Sequence, residues 1–567
     1  MKGDLDVGLG THDDDGVNSS LALTLVNVDL GPYGPGLHKI AIRDGVIDVV
    51  EPLAERVRSV ESGAIDLMGC TVLPGIDDSH LHAFYFGRAL VSVDLQKAET
   101  LGDLKVILRS AGADESGWIR GNGWDAGRIQ GTGPGGTVCA ADLDEVKPDV
   151  PVFLTDMTGH QGVGNSLVMR LAGITDKTDD PVGGSFIRDE YGVPSGLILE
   201  GAVRLVNEVA PGLSPIAERA AILTAQGNLL SRGITAFTDP GLGPGAVSLM
   251  EGSGYLSAVQ AYRDLAASGE LSVRANVMLL FGGLGGTTAA DVRAGLAGFG
   301  PPAAMKPFGR LGISQLKIFA DGIPRSKTAW VTEPYDDCSC GHLQVAGSTD
   351  SERVAELAHM VADSAAAGWQ IGAHAIGDRT VSAYLDAVAA TTDPKDLRHY
   401  VIHGDLVHHD ELERMAALGV TMNSNPSIRW AVAAGATTLL GRERSLGRQP
   451  LAAAVSAGVN VAISSDAPVT DPDWRVIIAA AMTRSLKNDP HYSDDQKLTG
   501  LQAIDALTIN GAWQSHAESW RGKIAPGYAA DLVVMDRVLD FDEPWSIPEC
   551  NVRATVIGGI IEFGELA

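Results

Sequence analysis

The sequence predicts an α/β protein: a TIM (β/α)8 barrel that carries an insertion subdomain and a small β domain built from both chain ends. Three observations support this prediction. Short apolar segments alternate with helical stretches through the middle of the chain, as in βα units around a parallel sheet. Strand-like segments separated by turns occur at both ends. About 150 residues separate the first two predicted barrel strands, far more than a βα connection needs.

The barrel prediction rests on eight strand-like segments. They are residues 72–82, 233–239, 273–279, 315–321, 370–374, 400–405, 420–425 and 460–466. In a barrel of this kind the active site lies at the carboxyl ends of the strands. We therefore expect the residues that end these segments to share one pocket.

The two chain ends are predicted to form one small domain. Near the N-terminus, two strand-like runs flank Asp44-Gly45, a strong hairpin signal. Neither end has enough strands to be stable alone, so we expect them to pair. The predicted boundaries are residues 1–72 with 520–567 for the β domain, 73–519 for the barrel, and about 92–220 for an insertion that caps its mouth.

Composition narrows the classes of partner. The 567 residues carry a formal net charge of -28, which would repel a phosphate backbone, so a nucleic-acid partner is not expected. No apolar segment of membrane-spanning length and no secretory signal is seen, and the acidic run at residues 13–15 stands where a signal would lie. We expect a cytoplasmic enzyme with a small-molecule substrate and no membrane partner. A homodimer is one assembly that it could form.

His80 and His82 end the first predicted barrel strand. Because side chains alternate along a strand, both imidazoles point to the same side. Two nitrogens that face one point can bind a divalent metal ion. An isolated pair could equally be a coincidence on a polar strand face. Whether the pair binds a metal ion therefore depends on the residues at the other strand ends.

Those other strand ends carry a matching set of donors. Lys317 lies on the fourth strand, His374 ends the fifth, His403 ends the sixth and Asp466 follows the eighth. If the strand ends converge, these groups form one cluster of nitrogen and oxygen donors. Such a cluster suits Zn²⁺ or a similar first-row cation.

The chain resembles the amidohydrolase superfamily and, within it, the N-substituted formamide deformylase-like proteins of amidohydrolase family 3. The resemblance runs along nearly the whole chain. The motifs that carry it are Pro74-Gly75-Ile76-Asp77-Asp78-Ser79-His80-Leu81-His82, Lys317-Ile318-Phe319-Ala320-Asp321-Gly322, Ala373-His374-Ala375-Ile376-Gly377-Asp378, Ile402-His403-Gly404-Asp405 and Ser464-Ser465-Asp466-Ala467-Pro468.

This resemblance implies a binuclear metal centre. His80 and His82 would hold one metal, His374 and His403 a second, and Lys317 would bridge them as a carbamate formed with CO₂. A carbamate supplies two anionic oxygens, as a bridging carboxylate would. The expected ions are two Zn²⁺, with Mn²⁺ or Fe²⁺ as alternatives. Lys317 could instead remain an amine paired with Asp321 or Asp239, which would leave a mononuclear site.

The expected reaction is hydrolysis of a C–N bond in a small amide, N-formyl compound or cyclic amide. Hydroxide that bridges the metals would attack the carbonyl carbon. Asp466, also counted among the metal ligands, would accept the remaining proton and deliver it to the departing nitrogen. One alternative keeps the metals and acts on a lactone, an ester or, as a deaminase, an aminated ring. Another is a non-catalytic scaffold or regulator on the same fold.

Five residues are candidates for contact with the substrate. Trp124 and His160 lie on the predicted cap, where plain packing is an equal alternative. Arg325 and the pair Arg429-Trp430 follow strand ends, where loops face the active site. An arginine there would suit a substrate carboxylate, although a surface salt bridge is the default role.

Overall fold

The structure is a computed structural model that describes residues 22–58, 63–157, 159–181, 183–249 and 255–566. The acidic run at residues 13–15 and the N-terminal stretch searched for a signal lie outside the described residues. The described part contains 22 strands in four sheets and 17 α-helices. Within it, no helix combines the length and apolar character that crossing a membrane requires.

The strands in chain order are β1 (Ala22–Asp29), β2 (Leu37–Arg43), β3 (Val46–Pro52), β4 (Ala64–Asp66), β5 (Val72–Pro74), β6 (Ile76–Asp78), β7 (Val93–Asp94), β8 (Ile119–Trp124), β9 (Val152–Asp156), β10 (Gln161–Gly164), β11 (Gly184–Arg188), β12 (Pro194–Glu200), β13 (Ile234–Leu242), β14 (Arg274–Leu279), β15 (Leu311–Phe319), β16 (Gln370–Ala375), β17 (Tyr400–His403), β18 (Thr421–Ser424), β19 (Val461–Ile463), β20 (Leu532–Met535), β21 (Val552–Ile557) and β22 (Ile560–Gly564).

The α-helices are α1 (Ala83–Val91), α2 (Leu101–Ser110), α3 (Ala140–Asp144), α4 (Ser166–Leu171), α5 (Arg204–Asn207), α6 (Pro215–Leu230), α7 (Leu256–Ser268), α8 (Ala289–Phe299), α9 (Asp350–Ala366), α10 (Asp378–Ala389), α11 (His409–Leu418), α12 (Pro426–Leu440), α13 (Arg442–Leu446), α14 (Leu451–Ser456), α15 (Trp474–Thr483), α16 (Gly500–Ala506) and α17 (Ile509–Gln514).

The barrel is the eight-stranded parallel sheet, in which β6 and β13 to β19 follow one another in chain order. Each strand leads to a helix that packs outside it, from α1 after β6 to α15 after β19. The strands are buried along almost their whole length, and the largest hydrophobic cluster joins them to these helices. The predicted α/β barrel is confirmed.

Hydrogen bonds just beyond the strands link the two ends of this sheet. The Ser465 amide donates to Asp78 Oδ1 at 3.0 Å, and the Asp466 amide donates to the His80 carbonyl at 2.9 Å. The His82 amide donates to the Ala467 carbonyl at 3.0 Å. The first and eighth strands are therefore joined through the predicted site residues themselves.

Two four-stranded sheets form the small β domain. One sheet has the order β3-β2-β1-β4 and the other β22-β21-β20-β5, so β5 from the N-terminal part pairs with β20 from the C-terminal part. One hydrophobic cluster contains residues of both sheets. Asp44 (φ 51°) and Gly45 (φ 80°) both lie in the left-handed region, as the predicted hairpin turn requires. The exact domain boundaries stay predictions.

The insertion contains a six-stranded mixed sheet of order β11-β12-β10-β9-β8-β7. Strands β7, β8 and β9 are parallel, whereas β10, β11 and β12 pair antiparallel. Its own hydrophobic clusters lie on the sheet. Loops at one end of this sheet reach the carboxyl ends of the barrel strands, as the capping prediction requires.

Candidate active site

A cavity of about 780 Å³ lies between the carboxyl ends of the barrel strands and the insertion. All six residues predicted as metal ligands line it, together with two of the predicted substrate contacts. These residues are His80, His82, Lys317, His374, His403, Asp466, His160 and Arg325. Groups separated by nearly four hundred positions in the chain therefore share one pocket.

The tightest group in the cavity is His80, His82 and Asp466. One donor atom from each of these residues lies within 4.8 Å of the other two. The Nε2 atoms of His80 and His82 are 3.3 Å and 3.4 Å from Asp466 Oδ1. The prediction that both histidines lie on the first barrel strand is wrong, because β6 ends at Asp78 and both stand in the loop before α1. Their imidazoles still face the same carboxylate, and the hydrogen bonds that join this loop to the residues after β19 bring Asp466 to them.

His374 and His403 form the second group. Their ring centroids are 4.5 Å apart, and the ring of His403 lies 5.8 Å from that of His80. Lys317 is buried and lines the same cavity as both groups. The two groups are thus neighbours with Lys317 near both.

The electrostatics of these groups favour neutral imidazoles beside a charged carboxylate. Burial is the largest cause that lowers the pKa of His80, His374 and His403. Burial raises the pKa of Asp466, but His80, His82 and His403 beside it outweigh that effect and hold the pKa well below its usual range. A neutral imidazole keeps a lone pair for a metal ion.

Backbone conformation marks two of these residues. His403 (φ 73°) and Asp466 (φ 56°) both lie in the left-handed region, which costs a residue other than glycine about 1–3 kcal/mol. His403 is the last residue of β17, and Asp466 lies three residues after the end of β19. The turn at each strand end directs the side chain into the cavity at the expense of local stability, a pattern typical of functional sites.

Fixed partners hold the histidine rings. Asn425 Oδ1 lies 2.7 Å from Nδ1 of His403. His374 Nε2 is 3.3 Å from the Gly322 carbonyl oxygen and 3.9 Å from Asp321 Oδ1. Asp321, one of the alternative partners for Lys317, accepts hydrogen bonds from backbone amides and from Thr380. The orientation of His374 and His403 is therefore set before any ligand binds.

Two of the predicted substrate contacts lie on the cavity wall, His160 from the cap and Arg325 from a barrel loop. His160 Nδ1 is 2.8 Å from Glu200 Oε2, and the ring of His160 lies 6.4 Å from that of His374. Arg325 Nη2 is 3.7 Å from Asp125 Oδ1, an ion pair between a barrel loop and the insertion. These two residues remain predicted substrate contacts.

The other candidates lie elsewhere. Trp124 is buried in the core of the insertion, and neither it nor Trp430 is among the described residues that line the cavity. Trp430 instead stacks near Trp545, with ring centroids 5.3 Å apart. Arg429 was expected on a loop facing the active site, but α12 starts at Pro426 and carries it into a buried pocket, where it binds Asp494 at 2.8 Å. We do not retain these three as substrate contacts.

Sequence reasoning missed several residues on the cavity wall: Asn425, Glu200, Arg448 and Gln449. Asn425 could have been found, because it directly follows the seventh barrel strand. Arg448 and Gln449 lie in the long connection between the last two barrel strands, and no local pattern marks them.

The donor set fits a divalent metal ion. His80 is fully buried, and neither of its ring nitrogens has a hydrogen-bond partner within the described ranges. A buried polar atom without a partner is costly, and a cation between His80, His82 and Asp466 would supply the missing interaction. Imidazole and carboxylate together are ligands that suit zinc and other first-row ions.

Comparisons with known proteins agree with this arrangement. The chain is 28% identical over 544 residues to YtcJ of Bacillus subtilis (strain 168), covering 94% of this chain and 96% of that protein. It is 26% identical over 525 residues to N-substituted formamide deformylase of Arthrobacter pascens, covering 89% and 90%. A solved metal-dependent hydrolase from Pyrococcus horikoshii OT3 shares the fold, with a TM-score of 0.70, 24% identity and coverage of 91% and 97%. The family model described as the amidohydrolase family matches residues 63–561, and the chain therefore belongs to the amidohydrolase family.

Proposed function

We propose that this chain is a metal-dependent hydrolase that cleaves the C–N bond of a small amide, N-formyl compound or cyclic amide. One observation carries the proposal. Four histidines, one lysine and one aspartate from five barrel strand ends line the same cavity, and the two buried ring nitrogens of His80 make no hydrogen bond within the described residues, although Nε2 lies 3.3 Å from Asp466 Oδ1. A non-catalytic scaffold would have no use for this set.

The chain offers two neighbouring positions for metal ions. His80 and His82 would hold one ion with Asp466, and His374 and His403 would hold a second. Lys317, as a carbamate, would supply an anionic oxygen to each. Divalent ions bound there lower the pKa of water and polarise a carbonyl oxygen. Zn²⁺ is the proposed ion, with Mn²⁺ and Fe²⁺ as alternatives.

Asp466 carries the proton chemistry in this proposal. Its Oδ1 lies beside the Nε2 atoms of both His80 and His82, so it borders the position where water would attack. It accepts the proton of that water and then donates it to the departing nitrogen, which leaves as a neutral amine. The bond from the carbonyl carbon to oxygen forms first, and the bond to nitrogen breaks once the nitrogen receives that proton.

The insertion completes the site. His160 from the cap and Arg325 from a barrel loop line the cavity, where they would contact the part of the substrate that does not react. The cap also separates the reacting groups from bulk water, which strengthens electrostatic interactions inside. A small-molecule substrate fits a cavity of about 780 Å³. A cytoplasmic location and a homodimer stay predictions.

A substrate panel tests the proposal. The protein, supplied with Zn²⁺ or Mn²⁺, is assayed on N-formyl amines, N-acylamino acids, cyclic imides, lactones, esters and aminated rings. Preferred hydrolysis of an amide supports the proposal. Faster cleavage of a lactone or ester would instead support the alternative in which the same metal site acts on those compounds. Release of ammonia from a ring would support the deaminase alternative. No turnover of any compound by a metal-loaded protein would favour the scaffold reading.

A further inference from the structure

A buried cluster of charged side chains forms part of the cavity wall on the side of the sixth to eighth barrel strands. Its members, here called the arginine cluster, are Arg429, Arg448, Arg484, Asp405 and Asp494. The three arginines are between 1% and 4% exposed. None of them belongs to the predicted metal site.

The cluster contains more positive than negative charge. Asp494 accepts hydrogen bonds from Arg429 Nη2 at 2.8 Å and from Arg484 Nε at 3.0 Å. Asp405 accepts from Arg448 through Nε, at 2.8 Å, and through Nη2. Within the described chain, three arginines of the cluster are thus paired with only two carboxylates. Buried charge without a counter-ion is costly, so an anion at this wall would be stabilised.

Arg448 is the arginine of this cluster that lines the cavity. Its Nε and Nη2 are occupied by Asp405, but no described residue accepts a hydrogen bond from its Nη1. Asp405 is held from its other side by Gln449 Nε2 at 2.9 Å, so the ion pair is fixed in place. One edge of a buried, oriented guanidinium is therefore left for a ligand. A planar guanidinium edge matches a carboxylate best.

The position of Arg448 relates this edge to the candidate active site. Its partner Asp405 stands two residues after His403, at the carboxyl end of β17. An anion on Arg448 would thus lie on the same side of the cavity as His403, within the span of a small molecule. Apart from Lys317, which belongs to the predicted metal site, the other cavity-lining cations are Arg128, Arg325 and Lys487. All three are exposed, so solvent weakens their attraction for an anion.

We propose that Arg448 binds a carboxylate of the substrate, which makes the substrate an amide that carries a carboxylate, such as an N-formylamino or N-acylamino acid. This inference rests on the proposed function and names its substrate class. Neutral formamides of the same size would be poor substrates, because they leave the guanidinium edge without an acceptor.

Matched substrates test the proposal in the metal-loaded wild-type protein. N-formylphenylalanine, as each enantiomer, is compared with N-formyl-2-phenylethylamine, which lacks only the carboxylate. We expect kcat/KM for one enantiomer of the acid to exceed kcat/KM for the neutral amide by about 30-fold or more. This factor corresponds to the loss of one partner of a buried charged hydrogen bond. Equal values for the acid and the neutral amide would overturn the proposal.

Two variants locate the effect. Arg448→Lys keeps a cation for Asp405 but removes the guanidinium edge, so the ratio of kcat/KM for the acid to kcat/KM for the neutral amide should fall at least tenfold. Arg414→Lys makes the same replacement on the outer helix α11, where Arg414 pairs with Asp386, and should keep the preference. An unchanged preference in Arg448→Lys would overturn the proposal.

A binding measurement separates this proposal from the proposed function. If neither amide is hydrolysed, the proposed function fails, and calorimetry with 3-phenylpropanoate and 3-phenylpropan-1-ol decides the inference. Tighter binding of the carboxylate to the wild-type protein, lost in Arg448→Lys, would still support the carboxylate site. Equal binding of the two compounds would reject it. Because the wild-type comparison stands alone, it decides the matter even if Arg448→Lys does not fold.

Discussion

Asn425 Oδ1 lies 2.7 Å from Nδ1 of His403, at the junction of β18 and α12. An amide oxygen can only accept, so Nδ1 must carry the hydrogen, and Nε2 of His403 keeps its lone pair. Asn425 is itself held by hydrogen bonds from its Nδ2 to the carbonyl and hydroxyl oxygens of Ser464. The tautomer of a proposed metal ligand is thus set by a neighbouring strand.

The first prediction concerns this contact. Asn425→Ala should lower metal affinity about 10- to 100-fold, because the His403 ring loses the acceptor that orients it. Asn425→Asp keeps an oxygen acceptor and should retain more of the affinity than Asn425→Ala. Competition with a chelator measures both variants. Equal loss in the two variants would mean that the oxygen does not orient His403.

The second prediction separates proton transfer from metal binding. Asp466→Asn should keep most of the bound metal, because an amide oxygen can still coordinate, while kcat falls about 10²- to 10⁴-fold with the loss of the base. Asp471→Asn, on an exposed residue that pairs with Arg232, serves as the control. Metal analysis and kinetics are measured on the same preparation. Undiminished turnover in Asp466→Asn would remove this residue from the mechanism.

The third prediction tests the proposed bridge. Wild-type protein should contain about two transition-metal ions per chain, and Lys317→Ala should contain fewer than one. Lys39→Ala, on the β domain, replaces a lysine outside the cavity and should keep both ions. Elemental analysis after dialysis gives the numbers. Normal metal content in Lys317→Ala would reject a bridging carbamate.

The fourth prediction is a dependence of stability on pH. Burial lowers the pKa of His399 to about 4, whereas its unfolded value is about 6.5. The unfolded chain therefore takes up this proton first as the pH falls. The stability tied to neutral His399, about 3 kcal/mol, is complete above pH about 6.5 and is lost progressively towards pH about 4.

His399→Asn isolates that contribution, because the amide oxygen can replace Nδ1 as acceptor for the Ile371 amide, which lies 3.0 Å away. Urea unfolding midpoints between pH 4 and pH 7 should fall less steeply in this variant than in the wild type. His409→Asn replaces an exposed histidine on α11 and should leave the slope unchanged. Parallel slopes for His399→Asn and wild type would contradict the assignment.

The fifth prediction concerns the junction of the barrel and the β domain. Arg274 on β14 donates to both carboxylate oxygens of Asp531, at 2.7 Å and 2.8 Å, and both residues are buried. Arg274→Met leaves that carboxylate buried without its partner and should cost about 3–5 kcal/mol of stability. Arg219→Met, which breaks a surface pair with Glu270, should cost at most about 1 kcal/mol. Urea unfolding compares them, and similar losses would refute the role of the buried pair.

The sequence by itself determined the barrel, the pairing of the chain ends and the set of residues at the strand ends. These follow from local signals, since alternating strand and helix patterns predict βα units, and a strand directs alternate side chains to one face. His80 and His82 were expected together for that reason, but β6 ends at Asp78 and the loop that follows it brings them together. The convergence of the remaining strand ends followed from the geometry common to all such barrels.

Only the tertiary structure decided which neighbouring side chains face the cavity. Trp124 and Arg429 carry no local signal that distinguishes a cavity wall from a packed core, and both are buried away from the cavity. Arg448 and Asn425 act through partners on other strands and loops, at Asp405, His403 and Ser464. Contacts between distant parts of the chain depend on how elements pack, and no periodicity in the sequence records that packing.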